Sequence, residues 1–496
     1  MQIEFLLLII SILFFASIIV SKASSRFGVP VLLLFLAVGM VFGVDGFGIQ
    51  FDSIRVAQVI GTVALCIILF SGGMDTKLSD VKPIVGPGVM LATIGVFITA
   101  FVTGFVIWII MDKTSIGTNI GLLCSLLLAA TISSTDSASV FSILRSKGLH
   151  LKNNLKPTLE LESGSNDPMA YVLTITLISL ANQGGSPQYL TAVMNLFIQL
   201  IVGAVAGYCL GKALVWLINR LKIENESLYP ILVLSSCIFI FAVTYYMQGN
   251  SYLAVYIGGL IFGNSKFVHK RSTRNFFDGI SWLSQLVMFL TLGLLVNPSE
   301  LNWHYIILPS LIISAVMILL SRPLAVFISL LPFKRYRFRD RVFVSWCGLR
   351  GAVPIIFAIL CRAENVPHAD TIFNIVFCCT LVSLVLQGTT LPLMARWLKV
   401  EDEAPKQNKI ENFDIDFPEE IKSATSEIEM TSQILSHGNQ LMDLRMPEKT
   451  LAIMVKRGEN YFVPTGKTHL MVGDKLMVIT DNNEALEQTL KQLSAN

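Results

Sequence analysis

Apolar residues recur along the first 400 positions in runs of about 17 to 25 with few charges, long enough for a helix to cross a hydrocarbon layer of about 30 Å. Polar punctuation divides these runs into about thirteen predicted spans: 4–20, 29–44, 56–72, 84–110, 117–144, 157–182, 190–219, 228–247, 251–263, 275–296, 303–331, 340–362 and 370–398. Two are interrupted by residues poor at continuing a helix. The fifth contains Thr131-Ile-Ser-Ser-Thr-Asp-Ser137, and the twelfth Cys347-Gly-Leu-Arg-Gly-Ala-Val-Pro354. An offset of seven spans reverses the direction of crossing, so the two breaks read as corresponding members of an inverted repeat whose broken helices meet at the midplane.

Beyond position 400 the pattern changes. Residues 401–425 are charged, contain Pro405 and Pro418 and have no apolar period, which predicts a linker between a membrane domain over 1–400 and a small domain over 426–496. In the latter, the short apolar stretches Leu451–Val455, Tyr461–Val463 and Lys475–Ile479 alternate with turn signals, and 482–493 suits a closing helix. The expected fold class is therefore an all-α polytopic membrane protein of about thirteen helices, with inverted repeats and two broken helices, plus a small α+β domain.

With 53% apolar and 14% charged residues, the chain of 496 residues is not a soluble enzyme. Of its basic and acidic residues, 27 and 17 lie in 1–400, and 10 and 17 in 401–496. Alternate connections are basic, among them Lys77/Lys82, Arg145–Lys156, Lys266–Arg274 and Lys334–Arg341, whereas the others offer little beyond Arg55, Lys113 and Arg362. The positive-inside rule then puts the N-terminus outside and the acidic C-terminal domain in the cytoplasm. The run Phe5–Val20 reads as a retained span, because Met1–Glu4 lacks the basic region of a signal peptide. The eight cysteines lie in or beside apolar runs and read as packing residues, and the six histidines have no metal-ligand spacing.

Ionisable groups inside spans are costly, so each needs a partner or a task. Asp136, Glu160, Glu162, Asp167 and Arg350 are the cases to explain, while Lys212 and Arg322 lie nearer span ends and are expected to snorkel. Asp136 and Arg350 are placed to neutralise half-helix termini at the breaks. Unwinding at Thr135 frees a carbonyl, a hard oxygen suited to an alkali cation. Ser133 and Ser134 read equally well as hydroxyls bonded back to their own helix. On the sixth span Ser163 and Asp167 share a face one turn apart, and Glu162 points about 140° away from Asp167, toward Arg350 as the expected ion-pair partner.

Thr135-Asp136 in a broken helix, Glu162-Ser163-x-x-Asn166-Asp167 in the next span and Gly348-Leu-Arg-Gly-Ala352 in the twelfth resemble the monovalent cation/proton antiporters of the sodium/proton exchanger superfamily. The resemblance implies that Asp167 takes cation and proton in turn, with Ser163, the Thr135 carbonyl, Asp136 and Asn166 around it, and with Glu162 and Arg350 as a structural ion pair. Sodium-selective relatives often carry a carboxylate after Phe in the third span, where this chain has Leu69-Phe-Ser-Gly-Gly73. The form Glu-Ser-Gly-Ser-Asn-Asp-Pro168 is more similar to the potassium/proton branch, near the cell-volume-regulation antiporters. Electroneutral potassium/proton exchange is the implied function, sodium/proton exchange the first alternative and a ligand-gated cation channel the second. The implied setting is a bacterial inner membrane, as a homodimer, with no nucleic-acid partner.

The C-terminal line from Leu444 through Pro447, Arg457-Gly458, Pro464-Thr-Gly466 and Gly473-Asp-Lys-Leu476 resembles the TrkA-C (RCK-C) domains. That resemblance implies regulation or dimer stabilisation, with a regulatory nucleotide as a possible ligand of unknown identity. No other cofactor is expected, and the G-x-G-x-x-G fingerprint of the nucleotide-binding partner domain is absent from the sequence.

Overall fold

A computed structural model describes residues 3–27, 30–51, 53–114, 118–183, 188–221, 223–402, 411–412, 424–435, 438–444, 446–458, 460–480, 485–486 and 489. The chain forms two units, Met1–Asp402 and Glu403–Asn496.

In the first unit the apolar runs fold into α1 (Ile3–Phe27), α2 (Val31–Phe42), α3 (Ile54–Asp75), α4 (Leu78–Lys113), α5 (Gly121–Thr131), α6 (Ser137–Ser146), α7 (Leu155–Ala181), α8 (Tyr189–Leu221), α9 (Leu228–Tyr246), α10 (Ser251–Asn264), α11 (Lys270–Leu295), α12 (Trp303–Ser329), α13 (Phe338–Trp346), α14 (Val353–Ala363) and α15 (Ala369–Trp397). Among the described residues seven of these, α3, α4, α8, α9, α11, α12 and α15, are long and apolar enough to cross a membrane on their own. The α5–α6 and α13–α14 pairs are the two interrupted spans, and counting each as one gives thirteen segments that match the predicted runs in order. The segments flanking each break are themselves irregular. One segment before it, α4 and α12 each contain a widened π-helical turn, at Leu91–Gly95 and Met317–Ser321. One segment after it, α7 and α15 each carry an internal proline, Pro168 and Pro392.

Close backbone approach binds α2, α3, α8, α10 and α11 into one group. A Cβ at Gly259 of α10 would fall 2.3 Å from the Phe70 carbonyl of α3, and one at Gly39 of α2 would fall 2.5 Å from the Leu290 carbonyl of α11. Dispersion between such small-residue faces is what holds helices together where lipid removes the hydrophobic drive. The broken helices, α7 and α15 form the opposing layer, with Leu128, Ala130, Leu349 and Phe373 at its fully buried centre.

Among the described residues the second unit holds five antiparallel strands, β1 (Glu411–Asn412), β2 (Ala424–Glu429), β3 (Thr450–Arg457), β4 (Asn460–Phe462) and β5 (Lys475–Thr480), in the order β1-β2-β5-β3-β4. Ile428, Val455, Leu476 and Val478 fill its core. Two positions of the segment read as linker, Glu411 and Asn412, pair with Glu427 and Ser426, because a short polar strand can join a sheet edge without apolar alternation. The helix expected over 482–493 falls almost wholly outside the described residues.

Candidate functional site

The two breaks cross. Helix α5 ends after Thr131 because Ser133 and its neighbours bond locally: the Ser133 hydroxyl donates to the Ala130 carbonyl at 2.7 Å. Six residues later α6 begins at Ser137. Its first turn receives the Asp136 carboxylate, which accepts from the Ser139 amide at 3.1 Å and the Ser139 hydroxyl at 2.5 Å. The Asp136 amide donates to the Leu349 carbonyl of the other break at 2.8 Å, and a Cβ at Gly351 would lie 2.4 Å from an Asp136 carboxylate oxygen. Only glycine leaves room for that carboxylate at the crossing.

Arg350 supplies the opposite charge. Its Nη1 donates to the Ser133 and Ser134 carbonyls at 2.6 and 2.5 Å, at the C-terminal end of α5. A guanidinium there and a carboxylate at the start of α6 match the partial charges that a broken helix exposes. The Arg350 amide donates to Ser383 Oγ of α15 at 2.9 Å, which fixes the second break to the following segment.

Asp167, on α7, is 7% exposed and accepts a hydrogen bond from the Ser134 hydroxyl. One turn earlier the Ser163 hydroxyl donates to the Thr135 carbonyl at 2.9 Å and accepts from the Ser137 amide at 3.1 Å. Asn166 Nδ2 donates to the Thr135 hydroxyl at 2.5 Å. The structure thus brings Thr135, Asp136, Ser163, Asn166 and Asp167 together at the first break. A carboxylate, hydroxyls and a freed carbonyl form a hard oxygen set that suits an alkali cation as substrate.

The expected Glu162–Arg350 pair is replaced by another. Glu162 is held by Arg322 of α12 at 2.5 Å, both side chains 3% exposed or less. The reason is competition: Arg350 already serves the end carbonyls of α5, while Arg322 passes beside Gly348, where a Cβ would sit 2.8 Å from its Nε. The same finding overturns the snorkelling expected of Arg322. Ser134 was equally legible as a back-bonded hydroxyl, and its spacing to Asp167 across two segments leaves no trace in sequence.

A cavity of about 180 Å³ reaches Asp167 between the two helix layers, lined by Asp136, Ser163, Gly164 and Asp167 on one side and by Asp75, Tyr256 and Gln285 on the other. It shares Leu32, Ile68, Gly72, Asp75, Ala138 and Gln285 with an outer cavity of about 420 Å³. The two form a funnel. At its rim Arg274 donates to Asp75 at 2.7 Å, beside Asp278.

Crossed broken helices around a buried carboxylate, reached from one face, define a membrane carrier for small cations. Residues 10–397 match the family model described as sodium/hydrogen exchanger, transmembrane, and the chain belongs to that family of transporters. It is 41% identical to a K(+)/H(+) antiporter NhaP of Alkalimonas amylolytica over 447 residues, covering 90% of this chain and 75% of that one. It is 39% identical to a K(+)/H(+) antiporter NhaP2 of Shewanella baltica (strain OS223), covering 97% and 82%. Its fold is similar to that of the sodium proton antiporter MjNhaP1 from Methanocaldococcus jannaschii, with a TM-score of 0.65 and 24% identity over 77% of this chain and 99% of the other.

Proposed function

We propose that this antiporter exchanges K+ for H+ by alternating access, one proton per cation and without net charge movement, with Asp167 as the group that carries either. The observation behind this reading is the carboxylate of Asp167 at the end of a funnel, beside Ser134, Ser163 and the Thr135 carbonyl. One carboxylate cannot hold a proton and a cation together, so each ligand must displace the other before the site changes sides. Asn166 is neutral and bonded to Thr135, Glu162 is bonded to Arg322, and Asp75 and Glu160 are paired with Arg274 and Lys156, which makes Asp167 the exchanging charge in this reading. Potassium is favoured over sodium by the names of the relatives at about 40% identity.

The basic connections at the funnel end, Lys77–Lys82 and Lys266–Arg274, support a cytoplasmic funnel in a bacterial inner membrane, with the N-terminus outside. We read the second unit as a cytoplasmic regulatory domain similar to RCK-C and the assembly as a homodimer. No ligand is assigned to that domain.

The test is proton movement in liposomes loaded with a pH dye, on addition of potassium or sodium. Potassium-driven movement that Asp167→Asn abolishes is the expected result. An Asp167→Asn variant exchanging at the normal rate refutes the mechanism, a sodium-only response refutes the selectivity, and an exchange current that reverses with membrane potential refutes the stoichiometry.

A further inference from the structure

Asn250, the residue before α10, is fully buried and is shared by three helices. Its Oδ1 accepts from the Leu253 amide at 3.0 Å and so caps α10. Its main-chain N–H donates to the Gln199 carbonyl of α8 at 2.9 Å. Its Nδ2 donates to the Pro168 carbonyl of α7 at 2.7 Å, one residue past Asp167.

That bond lies on a divide. Earlier turns of α7, at Glu160, Ser163 and Gly164, line the funnel, whereas later turns, at Tyr171 and Ile175, line a separate recess of about 600 Å³ against α8 and α9. Between them Tyr171 packs on Tyr252 with ring centroids 4.6 Å apart. Opening the recess to Asp167 requires α7 to separate from α8 and α10 at this level, and the Asn250–Pro168 bond is a buried polar tie between α7 and α10 there.

We propose that Asn250 is a positioning residue for the exchange reaction: its side-chain amide holds the ion-binding turn of α7 toward the funnel and releases the Pro168 carbonyl when access passes to the opposite face. The inference rests on the exchange reading above. Asn250 never touches the cation; it acts through Asp167 by weighting the two access states. Loss of one such bond changes a two-state ratio about threefold to tenfold.

Asn250→Ser keeps a hydroxyl to cap α10 but is too short to reach Pro168, and Asn250→Asp keeps the length and the acceptor while deleting the donor. The experiment measures the half-saturating potassium concentration on each face, in right-side-out and everted vesicles, with sodium used where potassium gives no signal. Both variants are expected to raise the value on the funnel face and lower it on the other, moving their ratio about threefold to tenfold. An unchanged ratio in either variant, with normal yield and thermal unfolding, overturns the proposal and leaves Asn250 a helix cap. If the unaltered protein moves no protons with either cation, the exchange reading itself has failed, an outcome distinct from loss of the latch alone.

Discussion

The exchanged ion-pair partner can be measured. Glu162 and Arg322 are no more than 3% exposed and 2.5 Å apart, so removing one leaves the other charged and buried. At an effective dielectric constant of about 20, two unit charges about 4 Å apart attract by about 4 kcal/mol. Truncating one member of such a pair costs about 3–5 kcal/mol, whereas replacing both with apolar groups is often neutral. Thermal unfolding of Glu162→Gln, Arg322→Met and the double variant in detergent therefore closes a cycle with an expected coupling of about 2–4 kcal/mol. The parallel cycle with Arg350→Met controls for proximity. Arg350 is committed to the Ser133 and Ser134 carbonyls, so its coupling to Glu162 is expected to be smaller, and its loss is expected to destabilise α5 even when Glu162 is already absent. A larger coupling for Glu162–Arg350 than for Glu162–Arg322 refutes the assignment.

Two further outcomes follow from contacts elsewhere. Gly164→Ala places a methyl 2.3 Å from a Tyr256 ring carbon, which is expected to cost about 1–3 kcal/mol in thermal unfolding and to slow exchange, with Tyr256→Leu restoring both. In the second unit the Arg457 guanidinium beside Asp474, with bonds at 2.9 and 2.7 Å, holds that carboxyl below its ordinary range. Because the folded value is depressed, the stabilisation is present above the unfolded carboxyl value and is lost as pH falls through the folded one. Hydrogen exchange of β5 amides in the full chain should thus distinguish Asp474→Asn from the native residue at pH 7 and converge at the acid end.

Much of this fold is legible in sequence because lipid leaves so few alternatives. Apolar length marks the helices, and the Ser/Thr and Gly/Pro interruptions at 131–137 and 347–354 mark the breaks. Helical spacing alone puts Ser163 and Asp167 on one face. What escapes is choice among partners that are far apart in the chain. Glu162 could meet either arginine, and the choice depends on the carbonyls of α5, which no side-chain pattern encodes. Asn250 escapes for a related reason: its side-chain bond to a carbonyl 82 residues away exists only in the packed molecule. The strand at Glu411–Asn412 was hidden because two residues carry no period.

The internal repeat bears on the proposed stoichiometry. In the first half, Ser163 and Asp167 lie four residues apart on the segment after the break, and Ser163 bonds both sides of that break, at Thr135 and Ser137. In the second half, Ser383 and Gln387 lie four residues apart on the corresponding segment, α15, and serve their own break: Ser383 accepts from the Arg350 amide, and Gln387 donates to the Trp346 carbonyl at 3.0 Å. The scaffolding task is thus done twice, by a serine and a side chain one turn on. In one copy that side chain is a carboxylate facing a funnel, and in the other it is a neutral amide whose two ends are taken by Trp346 and Ser383. Asp136 and Arg350 are both bound to helix ends, and Glu162 to Arg322, so their charges answer one another within the protein. The other carboxylates lining the inner funnel, Asp75 and Glu160, are paired with Arg274 and Lys156; under the proposed exchange Asp167 is then the carboxylate that remains, and one carboxylate that trades one proton for one monovalent cation carries the same charge in both directions.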